Sequence, residues 1–350
     1  MTLSRRRLLT GAAAALPAAA LLPTEAAWAG TTPTAGPTGA GWAGKTLKAR
    51  RLGSVVTADM MPADARGNIA GPSPIATPDG LRLYFADHNG DYIRLAFADH
   101  PAGPWQVHAQ GTFPVETVLA EAERTPGPDK KVGHDRHIAS PDVHRLSDGR
   151  WRMYFHARPE DPYIPWGHEN GVAHSVDGLD WHLENRRAQP GTYLRGFQWR
   201  GGWYGVMREG VLMHSEDGIT WPEEGVPEFA EAINEGTTRF IRHVAVVRDG
   251  NVLSVFYSRI GDSPERIMRA TCTLTGSWKN WRLTDPVEVL RAEEDWEGGD
   301  LPPLPSEGGE ATKPVNELRD PGILDYRGRR YLFYSYRGEH GIAVAELTCR

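Results

Sequence analysis

The sequence predicts an all-β fold, a five-bladed β-propeller closed by an N-terminal strand. Five segments repeat one pattern, in which a short apolar strand, a turn containing glycine and a strand rich in aromatic residues follow one another. Each segment is typical of a β-hairpin. Recurrence at roughly 50–75 residues indicates one propeller blade per repeat. The hairpins occupy residues 73–85, 142–155, 195–206, 243–257 and 320–334.

The turns and the tryptophans support this interpretation. Four hairpins turn at Asp-Gly or Arg-Gly pairs, which suit the tight turn between antiparallel strands, at residues 79–80, 148–149, 249–250 and 327–328. Outside the hairpins, residues 175–181 and 215–221 are near copies that each end in tryptophan. A β-sandwich of similar hairpins is the alternative, but a sandwich does not predict matched tryptophan turns.

The N-terminal strand is expected to close the ring. The last repeat has three strands, whereas residues 51–57 form a strand-like run ahead of the first repeat. Pairing of this run with the last blade would cover the open sheet edges. We therefore place the propeller domain at residues 49–350, after a flexible leader at residues 30–48 that is rich in glycine and threonine.

The first 29 residues have the features of an export signal. Arginines at positions 5–7 precede an apolar stretch, and Ala-Trp-Ala at positions 27–29 matches a signal-peptide cleavage site. The apolar stretch is too short to cross a bilayer. Paired arginines indicate the twin-arginine route. We expect the chain to be secreted, extracellular or in the cell envelope, with no membrane insertion after the signal is removed.

The charge balance argues against nucleic acid as a partner. The full sequence has 45 Asp and Glu against 39 Lys and Arg, and the predicted signal removes three arginines and only one glutamate. A nucleic-acid-binding domain would instead be basic.

The two cysteines, Cys272 and Cys349, are compatible with one disulfide or with two free thiols. We expect a monomer whose partner is a saccharide.

Residues at the predicted strand ends indicate a site on the channel axis. In a propeller, the innermost strand of each blade begins at one mouth of the channel and the second strand returns to it. The first strands begin at or next to polar residues, Ser73, Asp142, Arg195, His243 and Asp320. Such a ring suggests a functional site, although a channel mouth can also be polar because it is wet.

Basic residues mark the predicted ends of the second strands. They are His88, Arg158, Arg208, Arg259 and Arg337. Because the arginine fork matches carboxylate and sulfate groups, we expect an anionic ligand such as a uronate-containing or sulfated saccharide. Arg195 joins this binding set, and Trp166 and Trp199 are candidate sugar-stacking platforms that fit a blade core equally well.

Two short motifs resemble a known enzyme family. Ala-Ser-Pro-Asp-Val at 139–143, with Trp-Arg-Met-Tyr-Phe at 151–155, is similar to the second blade of glycoside hydrolase family 43 and its arabinanase-like relatives. Arg-Asp-Pro at 319–321, with Tyr-Leu-Phe-Tyr-Ser at 331–335, is similar to a strand of five-bladed glycosidases that include fructan hydrolases and mannoside phosphorylases. The resemblance implies a glycoside hydrolase-like propeller.

The family pattern is kept only in part. It implies a general-base aspartate in the first blade, a tuning aspartate in the second and a general-acid glutamate in the third. This chain has Ser73 at the first position and Arg195 at the third. Only Asp142 matches, in the tuning role.

The catalytic candidates follow from the chemistry of glycoside hydrolysis, which uses one carboxylic acid and one carboxylate. Asp142 and Asp320 are the predicted pair, Glu209 is a third candidate, and His137 and His243 are candidate proton carriers. Residues 134–137, His-Asp-Arg-His, lack the further ligand that a metal site needs, so no metal is assigned. No cofactor is expected to be required, and a structural ion in the channel is compatible with the fold.

Three functions are open at this stage. The leading one is hydrolysis of an acidic saccharide. A lyase would remove the proton beside a uronate carboxylate with His243 or His137 as base, and its product would absorb ultraviolet light. The third is a glycan-binding propeller without catalysis, which the missing family aspartate and glutamate motivate.

Overall fold

The computed structural model describes residues 42, 45–62, 67–88, 90–118, 137–157 and 168–349. The predicted signal peptide and most of the leader lie outside these residues, as do Arg158, Trp166 and the segment 134–136. Regular structure in the described ranges consists of strands and short 3-10 turns, and none of their helices is long and apolar enough to span a membrane. The 3-10 turns are Ala58–Met60, Val115–Thr117, Arg208–Gly210, Pro227–Ala230, Trp278–Asn280 and Asp295–Glu297.

The strands form five antiparallel sheets, which confirms the five-bladed propeller. A first strand, β1 (Leu47–Val56), precedes the blades. Blade 1 is β2 (Ala70–Thr77), β3 (Gly80–Ala86), β4 (Tyr92–Ala98) and β5 (Gln106–Pro114). Blade 2 is β6 (Ile138–Arg145), β7 (Trp151–Ala157), β8 (Glu169–Ser175) and β9 (His182–Pro190). Blade 3 is β10 (Arg195–Trp199), β11 (Gly202–Val206) and β12 (Leu212–Ser215).

The last two blades close the ring. Blade 4 is β13 (Phe240–Asp249), β14 (Val252–Ile260), β15 (Ile267–Thr273) and β16 (Val287–Leu290). Blade 5 is β17 (Arg319–Tyr326), β18 (Arg329–Ser335) and β19 (Ile342–Cys349), with β1 as its outer strand. Strand β1 pairs with β19 from Leu47 opposite Cys349 to Val56 opposite Ile342, so the predicted N-terminal closure is confirmed. Cys272 and Cys349 are free thiols.

The matched tryptophan turns join neighbouring blades. In blade 1, Arg82 donates to the carbonyl of Asp177 and Tyr84 to that of Gly178, in the turn after β8. The contact recurs one blade later, where Arg152 donates to Asp217 O at 2.7 Å and Tyr154 to Gly218 O at 2.9 Å. The near-copy turns are therefore interblade contacts, which explains why both turns repeat the same Ser-x-Asp-Gly sequence.

A bulge at the start of the inner strands shapes one end of the channel. The pairing register shifts between Ala70 and Ser73, between Ala139 and Asp142, and between Arg319 and Gly322. Gly71 (φ 66°), Ser140 (φ 52°) and Asp320 (φ 49°) lie in the left-handed region at these shifts. Such bulges re-aim side chains. They turn these three residues toward the channel mouth where the inner strands begin. Tyr193 (φ 62°), which precedes β10, is also left-handed and lines the mouth.

Candidate active site

The channel mouth is a cavity lined by titratable side chains. Its wall includes five histidines, two arginines and three carboxylates: His88, His137, His156, His168, His243, Arg208, Arg242, Asp87, Asp320 and Glu339. Most of them come from the starts of the inner strands and the ends of the second strands, as the propeller geometry predicts, while His168 and Glu339 precede the third strands of blades 2 and 5. The pKa values of His88, His156, His243, Asp320 and Glu339 are shifted, and a concave site with several such groups is a candidate active site.

Asp320 and His243 form a buried pair in this mouth. His243 Nδ1 contacts Asp320 Oδ1, and both side chains are almost fully buried. The second carboxylate oxygen, Oδ2, accepts hydrogen bonds from Ser335 Oγ at 3.0 Å and from the Gly71 N–H at 3.3 Å. The carboxylate therefore fixes the orientation of the imidazole and occupies Nδ1, so Nε2 is the nitrogen left to exchange a proton.

The charges of this pair are set by burial and by each other. Burial alone would raise the pKa of Asp320, but His243, Arg319 and Ser335 hold it far below its usual range, so the group is an anion. Burial lowers the pKa of His243, and the opposing effect of Asp320 is too small to restore it. His243 is therefore neutral at neutral pH and can accept a proton.

His88 forms a second imidazole–carboxylate pair on the same wall. Its Nδ1 lies 3.3 Å from Glu339 Oε2, and Arg319 holds the other oxygen of Glu339 at 2.9 Å. Burial lowers the pKa of His88, but the hydrogen bond to Glu339 and its charge outweigh burial, and the net pKa is raised. The two imidazoles thus have pKa values displaced in opposite directions.

Of the two arginines that line the mouth among the described residues, Arg208 is the one available to a ligand. Arg242 is held by both oxygens of Glu265, as close as 2.9 Å. Arg208 instead lies over the Phe240 ring, 5.4 Å from its centroid, and forms no ion pair with the described residues. Its Nε is buried without a hydrogen-bond partner there. An anionic group entering the cavity would supply that partner.

Asp142 and Asp320, the predicted catalytic pair, line two different cavities. Asp142 lies with Ser73 and Arg195 in a second cavity further along the channel, two residues beyond the bulge. Its Oδ2 accepts from His144 Nε2 at 2.8 Å and the Gly196 N–H at 2.7 Å. Burial opposes ionisation, yet His144 and Arg195 hold the pKa of Asp142 below its usual value.

Arg195 separates the two cavities and is not exposed to the mouth. Its side chain is 4 % exposed. Nη1 donates to the carbonyls of Ser140 and Pro141, both at 2.9 Å, and Nε donates to Val244 O at 3.1 Å. The negative charges of Asp142 and Asp320 both stabilise the positive charge of Arg195. The residue therefore ties blades 2, 3 and 4 together across the channel, and the predicted polar ring is split between two levels.

The predicted ring of basic residues also does not form. Arg259 is bound to Asp262 and to the carbonyl of Ile233, while Arg337 donates to Asp295 O. Trp199 is 7 % exposed and packs edge-on against Trp281 in a hydrophobic core shared by blades 3 and 4, which favours the core interpretation. Glu209 is exposed and does not line the mouth. Of the basic set, His88 and Arg208 reach the cavity, and Arg158 lies outside the described residues.

Sequence reasoning missed several residues of the mouth. Glu339 lies in the turn before β19, and Tyr193 precedes β10 with its ring 3.9 Å from that of His243, centroid to centroid. His156 and His168 also line the mouth, beside His137. The signal that could have found them is strand register, because they lie diagonally across β7 and β8.

Comparison with known proteins supports this architecture. No protein-family model matches the chain. An uncharacterized protein of Acanthamoeba polyphaga mimivirus is 38% identical over 280 residues, which cover 77% of this chain and 76% of the viral protein. A glycosyl hydrolase from Bacteroides ovatus superposes with a TM-score of 0.57 at 12% identity, covering 87% of this chain and 94% of that one.

A second solved structure has the same fold. It is a family 43 β-xylosidase/α-arabinofuranosidase from a compost microbial metagenome, with a TM-score of 0.54 at 13% identity, covering 84% of this chain and 94% of that one. At such identities the likeness concerns the fold. The five-bladed propeller of this chain is thus the fold that it shares with these two glycoside hydrolases.

Proposed function

The chain belongs to the same protein family as the uncharacterized mimivirus protein, and we propose that it is a glycoside hydrolase-like enzyme that acts on an acidic saccharide. The structural neighbours of its propeller are glycoside hydrolases. The observation that carries the proposal is the presence of two imidazole–carboxylate pairs, His243 with Asp320 and His88 with Glu339, on the wall of one cavity.

The two pairs divide the proton transfers of hydrolysis between them. His243 Nε2 takes a proton from a water molecule whose oxygen attacks the anomeric carbon. His88, as the imidazolium, gives a proton to the glycosidic oxygen that leaves. Titratable groups whose pKa values are displaced in opposite directions are suited to base and acid roles. Asp320 and Glu339 orient the rings and stabilise the imidazolium form of each.

Arg208 supports an anionic substrate. A guanidinium without an ion pair in a cavity is matched by a carboxylate or sulfate, which accepts two parallel hydrogen bonds. A sugar ring that carries such a group would place it near Phe240 and leave its glycosidic bond toward the histidines. Export by the twin-arginine route, predicted from residues 1–29, is part of the proposal and would bring the enzyme to polysaccharide outside the cytoplasm.

A lyase is the second candidate, favoured by the neutral state of His243 beside the unpaired Arg208. In that reaction Arg208 neutralises the uronate carboxylate, His243 removes the adjacent ring proton, and the electron pair forms a double bond as the glycosidic oxygen leaves with a proton from His88. The unsaturated product absorbs ultraviolet light, whereas the hydrolytic product does not. Absorbance of the products therefore separates the two reactions.

Product release from neutral, uronic and sulfated polysaccharides tests the proposal. We expect release from an acidic substrate, with His243→Gln lowering the rate by about 10²–10⁴-fold. His144→Gln is the matched control, because it alters the other histidine–aspartate pair of the channel. Equal losses in both variants, or none in either, would contradict the assignment. Binding of glycan without turnover would favour the non-catalytic propeller.

A further inference from the structure

Three histidines converge in blade 2 at the edge of the mouth. His137 immediately precedes β6, His156 lies in β7, and His168 immediately precedes β8. Their ring centroids are 4.7–5.3 Å apart, and one ring nitrogen from each lies within 4.8 Å of the other two. These side chains are distinct from both imidazole–carboxylate pairs described above.

Strand register explains why the three rings meet. His156 pairs with Ala139 in β6 and with Asn170 in β8. His137 and His168 each lie two residues before those partners, so all three are on the same face of the sheet in diagonal positions. The sheet backbone therefore holds the cluster, and no loop closure is needed to assemble it.

The chemistry of the cluster is that of a metal ligand set. His156 is 3 % exposed and its Nδ1 has no hydrogen-bond partner among the described residues. A buried nitrogen without a partner is costly, and a neutral imidazole is the commonest metal ligand. Three histidines with a fourth position left open form one of the ligand sets of catalytic zinc.

We propose that His137, His156 and His168 bind one divalent transition-metal ion through three imidazole nitrogens, with Zn²⁺ as the expected occupant. Tetrahedral ligands about 2.0–2.1 Å from zinc lie about 3.4 Å from one another. The three nitrogens lie within 4.8 Å of one another, and small rotations of the rings would bring them to that spacing. All three side chains line the mouth, where the described residues leave a fourth position open to water or to a ligand oxygen.

The site lies next to the proposed acid–base machinery. The Tyr193 ring lies between the cluster and His243, 4.8 Å from the His156 ring and 3.9 Å from the His243 ring. A bound cation would add positive charge to the mouth and could hold an oxygen of an anionic saccharide there. Metal binding itself does not depend on the proposed hydrolysis, so the two can fail separately.

Metal binding is tested on the purified protein without a histidine tag, after dialysis against a chelator. Calorimetric titration with Zn²⁺ should give one equivalent bound and an upward shift of several degrees in Tm, since a ligand of the native state stabilises it. Co²⁺ should give the visible absorption of a tetrahedral nitrogen site. His168→Gln, at the least buried ligand, should lower Zn²⁺ affinity by more than tenfold, and His156→Phe should abolish stoichiometric binding.

The outer pair His174 and His182 provides the control, because their rings are also adjacent, 5.6 Å apart, but no third ligand from the described ranges joins them. His174→Asn should bind Zn²⁺ as the unmodified protein does. Circular dichroism of each variant identifies loss of folding, and the half-buried His168 variant keeps the test valid if His156→Phe does not fold. Absence of stoichiometric Zn²⁺ binding, undiminished binding in folded His168→Gln, or equal loss in His174→Asn would overturn the site.

Discussion

Replacement of Arg195 by methionine separates a structural role of this residue from a ligand-binding role. Methionine keeps much of the aliphatic stem but removes the donors to the carbonyls of Ser140, Pro141 and Val244. It also removes a positive charge that acts on Asp142 and Asp320. The structure therefore predicts a large loss of stability, whereas a residue that only binds substrate would be replaced at little cost.

The magnitude follows from the groups left without partners. Each buried carbonyl that loses its hydrogen bond costs about 1–3 kcal/mol. The three are neighbours and can relax together, so their costs do not add fully, and we expect about 3–5 kcal/mol in total, the range seen when a buried charged partner is removed. The free energy of unfolding of an ordinary domain is roughly 5–15 kcal/mol. The variant should therefore unfold at a much lower urea concentration.

Urea unfolding followed by tryptophan fluorescence measures this loss. The stability of Arg195→Lys should lie between those of the unmodified protein and Arg195→Met, since one ammonium cannot donate to three carbonyls in the same positions. Arg248→Met is the control, because this exposed arginine bonds only a carbonyl two residues away, and its change should stay within about 0.5 kcal/mol. A loss below about 1 kcal/mol in Arg195→Met, with an unchanged urea dependence, would refute the structural role.

Three further predictions concern the mouth, a buried charge and an interblade turn. The kcat/KM of the proposed hydrolysis should rise with pH through the lowered pKa of His243 and fall above the raised pKa of His88, and His88→Gln should remove the alkaline fall. Arg330→Met, which leaves Asp249 and Asp325 unpaired, should cost about 3–5 kcal/mol in urea unfolding, whereas exposed Arg329→Met should cost far less. Gly218→Ala should lower Tm, because φ is +71° and a Cβ would lie 2.3 Å from Arg152, whereas Gly149→Ala, with nothing within 4 Å, should lower it less.

The fold was predictable because its signals are local. Each hairpin has its apolar strands and its glycine turn within about 15 residues, so the pattern can be read without knowledge of long-range contacts. The three-stranded last repeat and the extra strand before the first made ring closure predictable as well. The contacts between blades were not predictable, because Arg82 and Tyr84 reach the turn at Asp177 only once the blades have packed together.

The site was predicted less well because it depends on bulges and strand register. Asp320 occupies the left-handed bulge position, whereas Asp142 lies two residues beyond the equivalent position at Ser140. Alignment on strand starts therefore placed two carboxylates together that lie on different levels of the channel. Nothing in the sequence marks the left-handed backbone at Ser140 or Tyr193, because such backbone is expected chiefly at glycine.

The histidine cluster shows the same limit. His137, His156 and His168 are spread over 32 residues and have no metal-ligand spacing along the chain. They come together because residues two apart on neighbouring strands share a face. The sequence expectation that no metal is bound rested on residues 134–137 alone, and the proposed site uses one residue of that segment with two from elsewhere.

The central claim is that proton transfer takes place at Asp320 and His243 in the mouth and not at Asp142. Product release from an acidic polysaccharide by Asp320→Asn and Asp142→Asn tests it most directly, with circular dichroism to confirm that both variants fold. We predict that Asp320→Asn lowers the rate by at least about 10²-fold, while Asp142→Asn stays within a few fold of the unmodified protein. Loss of activity in folded Asp142→Asn, with activity retained in Asp320→Asn, would contradict the account.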